Sequence, residues 1–355
     1  MHLYVFWRAA SVPTINRFVK RKLLISIGAV LWMICLGVRV FAHDGIGVFS
    51  GVLELLTMTW IAILFLLSVP LFVIDLVTGF GYLMRRQAPL LCGWALIVGG
   101  VLSVTALVQG LRPPVIENYE VRLSALPRAM DGKVIIVMSD LHLGTIIGKQ
   151  WLAARMVQVN EQRPDLVVFL GDVFEGHGSP QSDLLPILRC LHAPMGVWAV
   201  PGNHESHGGI DSGLSLIEAA GFHVLQNRSV EVRPGLVLAG VEDLTTLKRS
   251  SRADDPIAKT LAGRPLGAAI LLSHTPTQAE RAAKTGVGLM LSGHTHGGQI
   301  WPLGYLIRLV HPLFEGRYMV NGMPVIVSRG IGTWGPRMRL WQPGEILRVT
   351  LRGMD

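Results

Sequence analysis

The sequence predicts an α/β domain that follows an all-α transmembrane region. Two observations carry this prediction. The first 110 of the 355 residues contain three long stretches that are almost free of charge, as membrane-spanning helices require. After residue 132, short apolar runs rich in β-branched residues alternate with helical stretches, which is the pattern of a sheet covered by helices.

Three apolar stretches are each long enough to cross a bilayer. Residues 55–74 and 90–109 are runs of 20 residues without a charge, and residues 23–38 are also uncharged. A helix of about 20 residues, rising 1.5 Å per residue, spans the roughly 30 Å apolar layer of a membrane. The predicted membrane region is residues 1–112, with helices over 23–42, 52–77 and 90–110.

Positive charge is concentrated beside these stretches. Residues 1–110 hold eight Lys or Arg and three acidic residues, so five of the eight net positive charges lie there. Lys and Arg favour the cytoplasmic side of a membrane helix, which places the N-terminus and the loop with Arg85 and Arg86 in the cytoplasm. Three spans then put the C-terminal domain on the opposite side. No dense basic run occurs beyond residue 112, so a nucleic-acid-binding surface is not indicated.

Pro113 and Pro114 end the last helical stretch, because proline cannot continue a helix interior. We therefore predict a second domain over residues 115–355. Its helices are expected at 149–162 and 212–220. Seven apolar runs of four to six residues read as buried strands. These runs are residues 133–138, 165–170, 196–200, 236–241, 268–273, 288–292 and 324–328.

Polar residues follow five of these runs directly. In an open α/β sheet the carboxyl ends of the strands share one edge, where ligands bind. Five strand ends would therefore deliver their side chains to one place. The residues concerned are Asp140, His142, Asp172, Asn203, His204, His274, His294 and His296.

Carboxylate, carboxamide and imidazole groups are ligands for divalent cations. Asp140 and His142 are two residues apart, as are His294 and His296, so each pair would share one face of a strand. Asp172 is the best carboxylate to bridge two cations, which in phosphoryl transfer clamp the attacking and leaving oxygens. The three scattered cysteines are neither a disulfide framework nor a thiolate metal site.

These motifs resemble those of the calcineurin-like metallophosphoesterases, in particular the bacterial membrane-associated branch with N-terminal transmembrane helices. The resemblance spans about residues 125 to 351, and the tail SRGIGTWGPRMRL (328–340) also resembles that branch. The motifs are DLHLG (140–144), GDVF (171–174), GNHE (202–205), SHTP (273–276) and GHTHGGQ (293–299).

The resemblance implies a four-layer αββα sandwich with a dinuclear metal site. Asp140, His142 and His296 would hold the first metal. The second would be held by Asn203, His274 and His294, with Asp172 bridging the two. His204 would contact the substrate phosphate and act as general acid, while a hydroxide activated by the two metals attacks phosphorus. Mn, Fe, Zn and Ni all suit this ligand set.

The implied function is hydrolysis of phosphate esters, with phosphodiesters or lipid-linked phosphates near the bilayer as the expected substrates. The branch also implies an integral protein of a bacterial inner or plasma membrane, whose catalytic domain is extracytoplasmic by the charge bias above. Phosphomonoesterase and pyrophosphatase activity share the same chemistry and stay open. A non-catalytic, metal-binding regulatory membrane protein is the alternative of another class. Specificity would come from the loops 174–195, 206–215 and 244–265.

Overall fold

The computed structural model describes residues 1–41, 48–144, 146–175, 182–207, 210–245 and 255–354. The chain forms two compact units. The helical unit comprises Met1–Arg112 and Gly335–Trp341, and the α/β unit comprises Pro113–Trp334 and Gln342–Asp355. Residue 42, the predicted end of the first span, lies outside the described residues, as do parts of the loops 174–195, 206–215 and 244–265.

The helical unit contains the three predicted apolar helices, which are confirmed. Each is long and apolar enough to cross a membrane, over Arg21–Val40, Phe49–Thr78 and Ala88–Leu111. Two short helices that the hydropathy pattern did not predict precede them. In chain order the helices are α1 (His2–Ala9), α2 (Pro13–Phe18), α3 (Arg21–Phe41), α4 (Val48–Thr78) and α5 (Ala88–Leu111).

A buried ion pair joins α1 to α4. Asp75, near the end of α4, is 1% exposed. Its carboxylate accepts hydrogen bonds from Nε of Arg8 at 2.8 Å and from the Tyr4 hydroxyl at 2.6 Å. A buried carboxylate without such partners would be strongly destabilising, so Tyr4 and Arg8 of α1 stabilise Asp75 in its buried position.

The α/β unit contains two six-stranded sheets. The strands of the first sheet are β1 (Val115–Leu123), β2 (Val134–Met138), β3 (Leu166–Phe169), β4 (Val197–Ala199), β5 (His223–Val224) and, from the chain end, β12 (Glu345–Gly353). The second sheet has β6 (Arg228–Arg233), β7 (Leu236–Gly240), β8 (Ala268–Leu272), β9 (Leu289–Ser292), β10 (Gly316–Val320) and β11 (Met323–Val327). The helices are α6 (Lys149–Asn160), α7 (Leu185–Leu188), α8 (Asn203–His207), α9 (Ile210–Ala219), α10 (Pro256–Leu261), α11 (Ala279–Lys284) and α12 (Leu303–Val310).

The strand order is β1-β12-β2-β3-β4-β5 in the first sheet and β10-β11-β9-β8-β7-β6 in the second. The strands β2, β3, β4 and β5 run parallel, as do β7, β8, β9 and β11. Parallel strands end at a common edge, and the chain after β2, β3, β4, β8 and β9 carries the predicted site residues.

The unit has four layers, and the four-layer αββα sandwich is confirmed. One face of each sheet packs against the other sheet, with Leu170 and Leu238 among the fully buried side chains between them. The opposite face of the first sheet is covered by helices α6, α7 and α9. The opposite face of the second is covered by α10 and α11. Side chains of β2 alternate between the two cores, because successive residues of a strand point to opposite faces.

All seven predicted strands are present, each within about a residue of its predicted bounds. Five further strands were not predicted. β1, β6 and β10 mix charged or polar residues with apolar ones and are only partly buried. β12 is buried but interrupted by Arg348 and Thr350, and β5 has two residues. Continuous apolar runs therefore identify the central strands of these sheets and miss their borders.

Candidate metal centre

The predicted site residues lie in the turns that follow β2, β3, β4, β8 and β9. Five of the eight have the left-handed backbone conformation: Asp140 (φ 57°), His142 (49°), Asp172 (50°), His294 (73°) and His296 (52°). Non-glycine residues rarely adopt it, and such conformations cluster at functional sites. The expectation that the two pairs share a strand face is wrong, because all four residues lie beyond the strand ends and reach the site through these turns.

The first group of donor atoms comes from Asp140, His142 and His296. The Nε2 atoms of His142 and His296 are 3.1 Å apart. Nε2 of His296 lies 3.5 Å from Oδ1 of Asp140. All three side chains are buried, and each offers a donor atom within 4.8 Å of the others.

The second group comes from Asn203, His274 and His294. Nε2 of His274 lies 3.0 Å from Oδ1 of Asn203 and 3.2 Å from Nδ1 of His294. Asp172 stands between the groups, since its Oδ2 is 3.2 Å from Nε2 of His274 and 3.9 Å from Nε2 of His142. The structure thus brings all seven residues predicted as metal ligands into two adjoining clusters.

The spacing of these atoms fits cation binding. Ligand atoms about 2.1 Å from one cation lie roughly 3.0–3.4 Å apart in octahedral or tetrahedral geometry. Three of the four contacts given within the clusters are of that length, and the fourth is 3.5 Å. Oδ1 of Asp140, a fully buried residue, has no hydrogen-bond partner among the described residues, and an unsatisfied buried oxygen is costly. The donors are nitrogen and oxygen only, so the residues fit hard or borderline divalent cations.

Electrostatics couple the imidazoles to the carboxylates. Burial lowers the pKa of His142, but the hydrogen bond to Glu175 and the charges of Glu175, Asp172 and Asp140 together outweigh burial, and the pKa is raised. Burial likewise acts against the charged forms of His274 and Asp172, yet their pairing raises the pKa of the imidazole and lowers that of the carboxyl. Burial and the charge of His274 lower the pKa of His294 to about 4. The raised pKa values favour the protonated forms of His142 and His274, and a bound cation would compete with these protons.

His204 lies beside the clusters, half-buried and edge-on to His142, with ring centroids 4.7 Å apart. Its Nδ1 lies 2.9 Å from the carbonyl oxygen of Glu175. A carbonyl only accepts, so this contact assigns the Nδ1 proton to a donated bond. Its backbone N–H donates to Oδ1 of Asp172 at 2.9 Å.

Sequence reasoning missed a functional role for two glutamates. Oε2 of Glu175 lies 2.6 Å from Nδ1 of His142, as the carboxylate that orients a metal-binding histidine does. Glu175 directly follows the GDVF motif, and this position next to a predicted ligand is the sequence feature that could have indicated its role.

Glu205, the last residue of GNHE, organises the backbone of the site. Its buried carboxylate accepts the N–H groups of Val173 and Phe174 on Oε1, at 2.7 and 3.1 Å. Its Oε2 accepts those of Asp172 and Gly202, at 2.9 and 2.8 Å. Burial and the charge of Asp172 raise the pKa of Glu205, against the effect of these N–H groups. The glutamate thereby ties the turn after β3 to the turn after β4.

Comparisons with known proteins agree with this site. A family model described as calcineurin-like phosphoesterase matches residues 133–298. An uncharacterized metallophosphoesterase of Aquifex aeolicus is 34% identical over 243 residues, covering 67% of this chain and 92% of that protein. A transmembrane protein with metallophosphoesterase domain from Danio rerio is 32% identical over 271 residues, covering 73% of this chain and 62% of that protein.

The chain thus spans less than two thirds of the Danio rerio relative. Among solved structures, a dimetal phosphatase from Danio rerio is 14% identical, with a TM-score of 0.38, and covers 62% of this chain and 99% of that one. The Aquifex aeolicus relative, matched over nearly its full length, decides the family. The chain belongs to the calcineurin-like phosphoesterase family and is a metallophosphoesterase, a hydrolase of phosphoric ester bonds.

Proposed function

We propose that this chain is a membrane-anchored phosphoesterase that uses two divalent cations to hydrolyse phosphodiesters or lipid-linked phosphates. The observation that carries the proposal is the convergence of six nitrogen- and oxygen-bearing side chains around Asp172. The three apolar helices support the anchor.

Asp140, His142 and His296 would hold the first cation, and Asn203, His274 and His294 the second. The contacts of 3.0–3.2 Å within each cluster support this division. Asp172 would bridge them, because one carboxylate oxygen faces a histidine of each cluster.

When bound, the two cations would supply Lewis acidity and would lower the pKa of water, so that hydroxide is available to attack phosphorus at neutral pH. The chain's own residues would set the geometry. Glu175 orients His142, and Glu205 fixes the turn that carries Asp172. His204, held through Nδ1, would direct Nε2 toward the substrate, donating a hydrogen bond to the phosphate and a proton to the leaving oxygen. The hydrogen bond from the backbone N–H of His204 to Asp172 holds the imidazole beside the bridging carboxylate.

The charge distribution supports an extracytoplasmic catalytic unit. Arg85 and Arg86 lie between α4 and α5, and five further basic residues precede residue 23. By the positive-inside rule both regions are cytoplasmic. α5 would then deliver the following domain to the outer side of a bacterial inner or plasma membrane. The cations would be Mn, Fe, Zn or Ni, all of which accept imidazole together with carboxylate.

Turnover by the purified full chain tests the proposal. We expect Mn²⁺-dependent hydrolysis of bis(p-nitrophenyl) phosphate, abolished by Asp172→Ala. Asp183→Ala is a matched control, because the Asp183 side chain is about half exposed and forms an ion pair with Lys149. His204→Ala should lower kcat by about 10²–10⁴-fold, the typical contribution of a general acid, and leave the cations bound. A chain that binds cations but turns over no mono- or diester would instead favour the regulatory alternative.

A further inference from the structure

Helix α12 exposes an apolar surface, although it begins only four residues after the end of the metal-site motif GHTHGGQ. No residue of α12 is buried. We call Trp301, Tyr305, Leu306, Leu309 and Val310 the α12 surface. Their exposed fractions run from 37% at Trp301 to 80% at Leu309. Single exposed apolar residues are ordinary, but a contiguous group of five marks an interaction site.

Four residues of the α12 surface form one stripe along the helix. Tyr305 and Leu309 are four residues apart, as are Leu306 and Val310, and Trp301 lies just before the helix begins. Residues four apart lie on the same helix face. The helix therefore presents its apolar side to solvent, opposite to the usual arrangement of a surface helix.

Both ends of α12 are fixed to the metal centre. At its start the backbone of Gly304 packs on Gly298, two residues after His296, so closely that a Cβ on Gly298 would lie 2.4 Å from Cα of Gly304. Just beyond its end, the ring of His311 lies edge-on to His294, with centroids 5.2 Å apart. These two contacts hold the α12 surface beside the turn that carries His294 and His296.

A third exposed aromatic residue adjoins this helix through a hydrogen-bonded pair. Gln299 donates from Nε2 to the carbonyl oxygen of Trp334 at 3.1 Å and accepts the backbone N–H of Trp334 at 2.9 Å. Trp334 is 59% exposed. Trp and Tyr next to Leu and Val is the composition of a membrane interface, where aromatic rings lie among headgroups and aliphatic chains reach deeper.

The chain connectivity supports a bilayer as the occupant. Only residues 112–114 separate the end of α5 from the start of β1. Four Cα–Cα steps reach at most about 15 Å, so β1 begins within that distance of the last residue of α5. The one charged residue of α12, Arg308, is basic and pairs with Glu315 at 3.1 Å, so the helix itself adds no negative charge that would repel anionic lipids.

We propose that the α12 surface inserts into the bilayer interface and presents the metal centre to phosphates at the membrane surface. This inference rests on the proposed membrane anchoring and narrows the substrate class to phosphate esters of lipids. The occupant is the lipid surface; a second copy of the chain is an outcome of the test.

Depth-dependent fluorescence quenching tests it on the full chain. Cys35, Cys92 and Cys190 are replaced by alanine, and Leu309→Cys is labelled with the dye NBD. The protein is reconstituted into phosphatidylcholine–phosphatidylglycerol vesicles with and without phosphatidylcholine carrying a doxyl group at acyl carbon 5. An interfacial helix lies about 5–10 Å below the headgroups, so we expect doxyl lipid to quench NBD at this position. Tyr305→Cys is the second variant, in case Leu309→Cys does not fold.

Leu266→Cys is the matched control. Leu266 is 93% exposed and precedes β8, at the edge of the sheet opposite to the site. The emission of NBD attached at position 266 should be the same in vesicles with and without doxyl lipid. Vesicle flotation is measured alongside.

Flotation with no quenching at Leu309→Cys or Tyr305→Cys overturns the inference alone. A blue shift without doxyl quenching indicates a dimer contact and also overturns it. Absence of flotation overturns the anchoring and this inference together. Hydrolysis of bis(p-nitrophenyl) phosphate, measured on the same samples, reports on the proposed chemistry independently.

Discussion

When Glu205 is replaced by glutamine, the turn after β3 should open far more often than in the unsubstituted chain. The carboxylate accepts four backbone N–H groups, two on each oxygen. Glutamine keeps one oxygen and turns an NH₂ group toward the remaining donors. At least two buried N–H groups then lose their acceptor, at about 1–3 kcal/mol each, or roughly 2–6 kcal/mol together. Since about 1.4 kcal/mol is tenfold, the smaller figure corresponds to roughly 30-fold.

Hydrogen–deuterium exchange by mass spectrometry measures this opening directly. Peptides containing Val173 and Phe174 should exchange at least about 30-fold faster in Glu205→Gln, where local opening governs exchange. Glu218→Gln is the control, because Glu218 is exposed on α9. Equal exchange of these peptides in the two variants would refute the role given to Glu205.

Three further predictions concern the two clusters and the residues next to them. Glu175→Gln should weaken Mn²⁺ binding about 10–100-fold, as loss of a carboxylate behind a histidine ligand does; calorimetry showing unchanged affinity would exclude that role. Because the pKa values of His142 and His274 are raised, cations must displace protons, so affinity should rise and proton release fall as pH increases; calorimetry in buffers of different ionisation enthalpy checks both. Gly298→Ala should lower metal content, because its Cβ meets backbone at 2.4 Å, whereas Gly316→Ala, also at positive φ but in open space, should not; elemental analysis that finds equal content in both variants would contradict the packing account.

The central strands of the α/β unit could be predicted because both their faces are buried. In β2 and β8 every residue is apolar and buried, so the sequence shows a continuous run. β1 could not be found this way. It alternates apolar residues with Glu117, Glu120 and Arg122 at a sheet border, and its parallel partner β12 lies more than 200 residues along the chain. Such pairing depends on the whole topology, which local patterns do not contain.

In the metal site, too, some features could be predicted from the sequence and others could not. Asp, Asn and His directly after strands could be predicted, because parallel strands end at one edge and the motifs are specific. The left-handed conformations of Asp140 and Asp172 could not, since nothing in the local sequence requires them. Nor could the contacts of Glu175 and His311, which depend on where a turn from another part of the chain places a ring.

Anomalous X-ray scattering from crystals of the full chain grown with Mn²⁺ tests the central claim most directly. Two peaks are expected about 3.5–4 Å apart, as in two-metal sites. One should be flanked by Asp140, His142 and His296, the other by Asn203, His274 and His294, with the Asp172 carboxylate between them. Manganese bound elsewhere, or no ordered manganese between these side chains at saturating concentration, would contradict the account.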